Sequence, residues 1–317
     1  MTDVQVTGRQ VQEFDAIALE NRWLRAVVVP ALGGRVWELE DLARRRQWIW
    51  HREGIPLGVS RPGALYDDVW AGGWEELFPN DAPGPFEGRD LPDHGEWWTM
   101  AWNTEEVSRH AVRLEARSSV IRAACSKELR LGDDQATLSV TYRVRSLEDR
   151  PFHFLFKQHL PVSLNPSCRL VLPGGLIHAV DPAFGTLLPG PGPFEWPLAA
   201  GDGTAVTDLR IVPPRSDGHR EFVYVSRLPQ PWCGVEDHDA GASLRMAFDA
   251  RTLPFCWLFL SYGGWRDIYA AVLEPCTNCP KDLKDAVRLG QSAHLGPGEE
   301  FVTTVSVTLG GCAEAPA

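Results

Sequence analysis

At 317 residues with 44% hydrophobic content, the chain has ample material for a buried core and needs no cross-links to fold. Lys and Arg number 31 against 42 Asp and Glu, a formal charge of −11, which disfavours nucleic acid and anionic membrane as partners. Residues 1–15 carry no basic patch leading into an apolar stretch, and no uninterrupted apolar run approaches the ~20 residues that span a bilayer, so a cytoplasmic protein is expected.

Helical periodicity is almost absent, whereas short alternating runs bounded by Gly, Pro, Asn or Asp recur throughout. In chain order, the first strands are predicted at 16–20, 24–29, 35–41 and 47–51. Arg35 opens the third of these directly after Gly33 and Gly34, where its planar fork either holds a substrate oxygen or pairs with Glu38 or Asp41. A long irregular region follows, in which Trp70, Trp74, Trp97, Trp98 and Trp102 stand near Gly or charged residues rather than in apolar strands, as Trp265 does later. Indoles so placed can stack on the C–H face of a sugar ring, although most tryptophans are partly buried core. Within this region, Trp74-Glu75-Glu76-Leu77-Phe78-Pro79-Asn80-Asp81 precedes Leu91-Pro92-Asp93-His94-Gly95-Glu96-Trp97-Trp98.

Further strands are predicted at 112–118, 121–131, 135–146, 152–160, 221–226, 243–249, 255–261, 268–273 and 300–309, with one short helix near 281–289. The pattern fits an all-β sandwich of large antiparallel sheets. No repeat or polar linker divides the chain, so residues 1–309 are expected as one domain, with 182–197 a long loop and 310–317 a frayed tail. Strand alternation over 152–160 sends Phe152, Phe154 and Phe156 to the core and places His153, Leu155, Lys157 and His159 on the opposite face. Glu274 ends the apolar strand before Pro275, where partial desolvation raises a carboxyl toward the range of a general base.

Seven cysteines without regular spacing point to reduced thiols, and Cys276-x-x-Cys279, which could be half of a zinc site or a redox dithiol, has no second C-x-x-C or H-x-x-x-H pair to complete it. His94 and Glu96 form H-x-E, which with His159 could make a two-histidine, one-carboxylate metal site on a β scaffold. The same residues, taken with Glu274, equally supply two imidazoles and a carboxylate for proton transfer at a hemiacetal. No dinucleotide, Walker-type or G-x-S-x-G motif is present.

The order of these motifs resembles the aldose 1-epimerase, or galactose mutarotase-like, superfamily over roughly residues 15–309. The stretch 21–30 and Gly33-Gly34-Arg35-Val36 look like its first strands. Phe78-Pro79-Asn80 and Asp93-His94-Gly95-Glu96 look like the segment with its first active-site histidine, His159 falls where the second is expected, and Leu273-Glu274-Pro275 is similar to the segment with its catalytic glutamate. The resemblance implies a β-supersandwich with a concave sugar cleft and a mutarotase that needs no cofactor and no metal. Glu274 would take the proton of the anomeric hydroxyl, His159 would protonate the ring oxygen, and His94 would orient the sugar. Arg35, Lys157, Glu96, Trp97 and Trp74 are expected around the substrate. Asp237, with Asp239 as the alternative, is the candidate for the aspartate that galactose mutarotases use to bind sugar hydroxyls. The expected partner is a hexose or sugar derivative, neutral or anionic. A sugar-binding protein without activity and the metal enzyme built on His94, Glu96 and His159 are the alternatives.

Overall fold

Two large antiparallel sheets divide most of the alternating segments between them in the computed structural model, which describes residues 3–61, 63–201 and 206–312. The first sheet has eight strands in the order Cys168–Val171, Trp232–Asp237, Ala242–Phe248, Glu300–Gly310, Thr137–Ser146, Ala123–Leu131, Ala111–Ser118 and Asn103–Val107. The second has seven, ordered Phe194–Glu195, Leu176–Ala179, His219–Ser226, Phe255–Tyr262, Tyr269–Cys276, Lys157–Ser163 and Glu75–Leu77. A five-stranded sheet from Gln5–Val11 to Arg46–Gln47 adjoins the second through bridges at Val36–Trp74 and Ile49–Val162. This is the all-β sandwich that the alternation implies.

Alternation also locates the core. Val140, Val144, Val305, Val307 and Met246 project from the eight-stranded sheet, and Leu160, Val223, Leu258 and Leu273 from the seven-stranded one, into a single buried cluster. Each such side chain contributes about 1.5–3 kcal/mol by leaving water. The opposite face of the seven-stranded sheet is therefore free to build a site.

The structure departs from the predicted elements where packing overrides pattern. Residues 152–160 form two strands, Phe152–Phe154 and Lys157–Ser163, which belong to different sheets. The break falls at Leu155, which is buried with Leu91, Leu283 and Ala286 and donates its N–H to the Pro79 carbonyl at 2.7 Å, instead of joining the face of Lys157. Strand Tyr269–Cys276 runs past Pro275 rather than stopping before it. Its ladder to Lys157–Ser163 pairs Cys276 with Lys157 and Leu273 with Leu160 but skips Glu274 and Pro275, whereas its ladder to Phe255–Tyr262 runs on through the proline, which lies opposite Cys256. Helix Leu283–Arg288 is shorter than expected because the Asp282 carboxylate caps it by accepting the Asp285 N–H.

The expected loop 182–197 ends in an edge strand, Phe194–Glu195, and is pinned by the Leu187 and Leu188 N–H groups on the buried Glu221 carboxylate at 3.0 and 2.9 Å. Of the expected frayed tail, Gly310 is still paired with Ser243, and the Gly311 carbonyl accepts from Ser243 Oγ at 2.8 Å. Residues 313–317 lie outside the described residues.

Candidate active site

One face of the seven-stranded sheet collects Glu75 and Leu77, Lys157 and His159, Glu274, Trp257 and Phe259, and Phe222, because alternate residues of neighbouring antiparallel strands project together. Above it lies a cavity of about 250 Å³. Its polar lining includes Asp81, His94, Lys157, His159 and Glu274. Its apolar wall is built from Trp70, Phe184, Phe222, Phe259 and Trp265, with Tyr66 at the back. The volume is at the small end for ligand sites and suits one ring.

His94 reaches the cavity on a tightly held turn. It has φ +58°, its N–H donates to the Asp81 carbonyl at 2.8 Å, and the next N–H but one, that of Glu96, donates to the Phe78 carbonyl at 2.8 Å. Gly95 has φ +72° and lies so close to Phe78 that a Cβ would come within 2.2 Å of the Phe78 oxygen, so no other residue fits there. His94 Nδ1 donates to Asp93 Oδ1 at 2.8 Å, while Asp93 Oδ2 accepts the Tyr66 N–H at 2.9 Å. The Tyr66 ring stacks on the His94 imidazole with centroids 4.1 Å apart, and its hydroxyl lies 3.1 Å from His159 Nδ1. The two imidazoles are 6.3 Å apart, edge to face.

Lys157 is wedged between two carboxylates. Its Nζ donates to Asp81 Oδ2, lies 3.2 Å from Glu274 Oε2, and sits 3.5 Å from the Trp257 ring centroid. Burial would lower this ammonium, but Asp81 and Glu274 together hold it above its ordinary value. The cation is thus already neutralised, and the anionic-substrate expectation gains no free charge from it. Burial pushes Glu274 up to about 7, against the opposing pull of Lys157. His159 is driven well below the usual imidazole range by burial, and the charges of His94, Lys157 and Arg35 act in the same direction. For His94 burial also acts downward, but the hydrogen bond to Asp93 and the charges of Asp81, Asp93 and Asp67 carry it above its ordinary value.

The other expected site residues lie elsewhere. Arg35 is buried behind the cavity, its Nη2 2.5 Å from Glu75 Oε2 and its Nη1 donating to the Gly72 carbonyl at 2.9 Å. Its partner is neither a substrate, nor Glu38, nor Asp41. The glycines before it serve packing instead, since a Cβ on Gly34 would meet Lys127 Cε at 2.5 Å. Glu96 points away from the cavity and accepts from Ser118 Oγ, Ser119 N and Oγ, and Val120 N. Trp97 is wholly buried against Phe78, Trp102 and Phe156, and Trp74 donates its indole N–H to Gln158 Oε1 at 2.8 Å. Asp237 belongs to the eight-stranded sheet, where it pairs with Arg46 at 2.9 Å and accepts from Asn165 and Ser167. Asp239 is exposed in the turn beyond it.

Glu96 therefore cannot join His94 and His159 around one ion, and among the described residues no group of three or more His, Cys, Asp or Glu side chains is placed to hold a metal. Cys276 is buried beneath the site, with its thiol on the Asn278 carbonyl at 3.0 Å.

Sequence reasoning missed Tyr66, Glu75 and Phe184. Tyr66 starts a four-residue helix too short for periodicity to reveal. Glu75 was visible only as one half of a Glu-Glu pair whose members point to opposite faces of an edge strand. Phe184 comes from the loop held down by Glu221, and only that loop's length hinted at a role.

No family model matches the chain. Its fold matches solved structures closely. A Klebsiella pneumoniae protein given the provisional name aldose 1-epimerase superposes with a TM-score of 0.71 at 15% identity, over 96% of this chain and 82% of that one. A galactose mutarotase-like protein from Clostridium acetobutylicum gives 0.67 at 12% identity over 98% and 99% of the two chains. A galactose mutarotase related enzyme from Lactobacillus acidophilus gives 0.66 at 12% identity over 93% and 97%. The architecture is therefore the galactose mutarotase-like β-sandwich, to which the sequence motifs pointed.

Proposed function

We propose that the protein is a mutarotase that interconverts the anomers of a hexose or a hexose derivative by acid–base ring opening. The observation that carries this reading is a buried carboxyl poised at about 7, Glu274, sharing a one-ring cavity with two imidazoles held at opposite protonation tendencies. A base near neutrality in one cavity with an acid whose neighbours favour its charged form is what moving a proton off the anomeric hydroxyl and onto the ring oxygen requires. Glu274 is the base. The electrostatics favour His94, rather than His159, as the acid, because three carboxylates favour the charged form of His94 while burial and nearby cations favour the neutral form of His159.

The ring C–O bond opens as Glu274 accepts the anomeric proton and the imidazolium gives its own to the ring oxygen. Rotation about the C1–C2 bond and reclosure with the proton transfers reversed give the other anomer, so the protein ends unchanged. Trp70, Phe222, Phe259 and Trp265 offer apolar surfaces for the C–H faces of the sugar, while Lys157 restrains Glu274 from rising further and fixes its orientation.

Anomeric exchange measured by NMR across a panel of neutral and phosphorylated or acidic hexoses tests the proposal. At least one sugar should exchange far faster than in buffer, and Glu274→Gln should slow that exchange about 10²-fold or more while sugar binding persists. Failure of every sugar to exchange above the buffer rate would remove the activity, and an unaffected Glu274→Gln would remove the assigned base.

A further inference from the structure

We infer that Tyr66 and Glu75 are positioning residues that fix the tautomer of His159, so that its Nε2 meets the substrate as a hydrogen-bond acceptor and not as a proton donor. An ion pair and two hydrogen bonds run in sequence from Arg35 to His159. The Arg35 guanidinium, its Nη2 2.5 Å from Glu75 Oε2, forms an ion pair that opposes the burial which would otherwise protonate this carboxylate. The other oxygen of that carboxylate, Oε1, receives the Tyr66 hydroxyl proton. With its single proton committed to Glu75, the Tyr66 oxygen can only accept from His159 Nδ1, 3.1 Å away. A neutral imidazole has one N–H. If Nδ1 carries it, Nε2 is a bare lone pair, and Nε2 is the nitrogen left for the cavity that His159 lines.

Tyr66, Glu75 and Arg35 are at most 5% exposed, so water does not compete for these bonds. The phenol is held protonated by burial and by the Glu75 charge, which keeps the relay running in one direction. The same ring stacks on His94, whose own Nδ1 is tied to Asp93, so one tyrosine orients both imidazoles while giving them different characters. The consequence for catalysis rests on the mutarotase reading. A sugar hydroxyl would donate to His159 Nε2, and the proton for the ring oxygen would come from His94.

Long-range ¹H–¹⁵N spectra of histidine-labelled protein test this without sugar, with the His159 signals assigned by their loss in His159→Asn. At neutral pH, His159 should show a protonated Nδ1 and a bare Nε2. An Nε2–H tautomer or an imidazolium in the native protein would overturn the inference, whether or not the protein turns over any sugar. Tyr66→Phe keeps the ring on His94 but removes the acceptor, so the proton should shift toward Nε2, and a sugar whose hydroxyl donates to Nε2 should bind roughly 10-fold more weakly. Glu75→Gln can donate to the Tyr66 oxygen and turn its hydroxyl toward Nδ1, which should invert the tautomer. Should that variant fail to fold by circular dichroism, Tyr66→Phe decides, and an unchanged tautomer in it would overturn the inference. The expected spectra in a protein without anomeric exchange would leave the relay standing and remove only the mutarotase reading.

Discussion

Glu274 and His94 owe their tuning to different neighbours, and this makes their separate contributions measurable. A base must lose its proton before it acts, so turnover should rise as the pH climbs through about 7, where burial has placed Glu274. An acid must keep its proton, so turnover should fall again as the pH passes the value of His94, which its carboxylate partners hold above the ordinary imidazole range. His159 titrates below both and adds no limb near neutrality. The profile of kcat/KM should therefore be a narrow bell. Asp93→Asn removes the largest upward influence on His94, so the falling limb should move to lower pH and the maximum should shrink, while the rising limb stays. A falling limb that does not move in Asp93→Asn would exclude His94 as the acid. These groups could be read from the sequence because each sits in a short, unusual run of residues. Their charge states could not, since those depend on Asp67, Asp81 and Lys157, which only the fold brings close.

At the scale of elements, alternation was the strongest signal. Strands 24–29 and 35–41 appear with the predicted limits, and Lys157 and His159 do share a face. It failed where two sheets compete for one segment, as at Leu155, and where elements are too short to have a period, as at Tyr66–Val69 and Glu75–Leu77. It also failed to assign Glu96, because a carboxylate two residues from a site histidine looks the same in sequence whether it faces a substrate or the protein. Here it faces the protein. Glu96 ties the turn that carries His94 to the end of strand Ala111–Ser118 by accepting two hydroxyls and the N–H groups of Ser119 and Val120. Glu96→Gln presents an amide N–H₂ to that ring of donors and leaves part of it unsatisfied. Urea denaturation should show a loss of about 2–4 kcal/mol. A loss under about 0.5 kcal/mol, with sugar affinity reduced instead, would restore Glu96 to the substrate-binding set.

Across the whole molecule, two of the strands that carry the site, Glu75–Leu77 and Lys157–Ser163, are polar on both faces. Glu75 and His159 face the cavity side, while Glu76 and Gln158, their neighbours in sequence, point between the two large sheets into an otherwise apolar core. There Lys127 Nζ donates to Glu76 Oε2 at 2.8 Å and to the Gly33 carbonyl at 2.9 Å, and Tyr142 donates its hydroxyl to Glu76 Oε1 at 2.7 Å. Burial lowers the Lys127 ammonium although the Glu76 charge resists it. This cluster joins strand Ala123–Leu131 of one sheet to the edge strand Glu75–Leu77 of the other, so it fixes how the sheets register behind the cavity. Removing one member should be costly because the other stays buried and unpaired. Lys127→Met retains length and contact with the Trp102 ring, 4.9 Å from Nζ, yet should destabilise the protein by about 3–5 kcal/mol in urea. Lys127→Met combined with Glu76→Gln removes both charges and keeps an oxygen for the Tyr142 hydroxyl, so the pair should recover a large part of that loss. If the two substitutions instead add without recovery, the ion pair is not the unit that holds the sheets together, and the apolar packing around it carries the register alone.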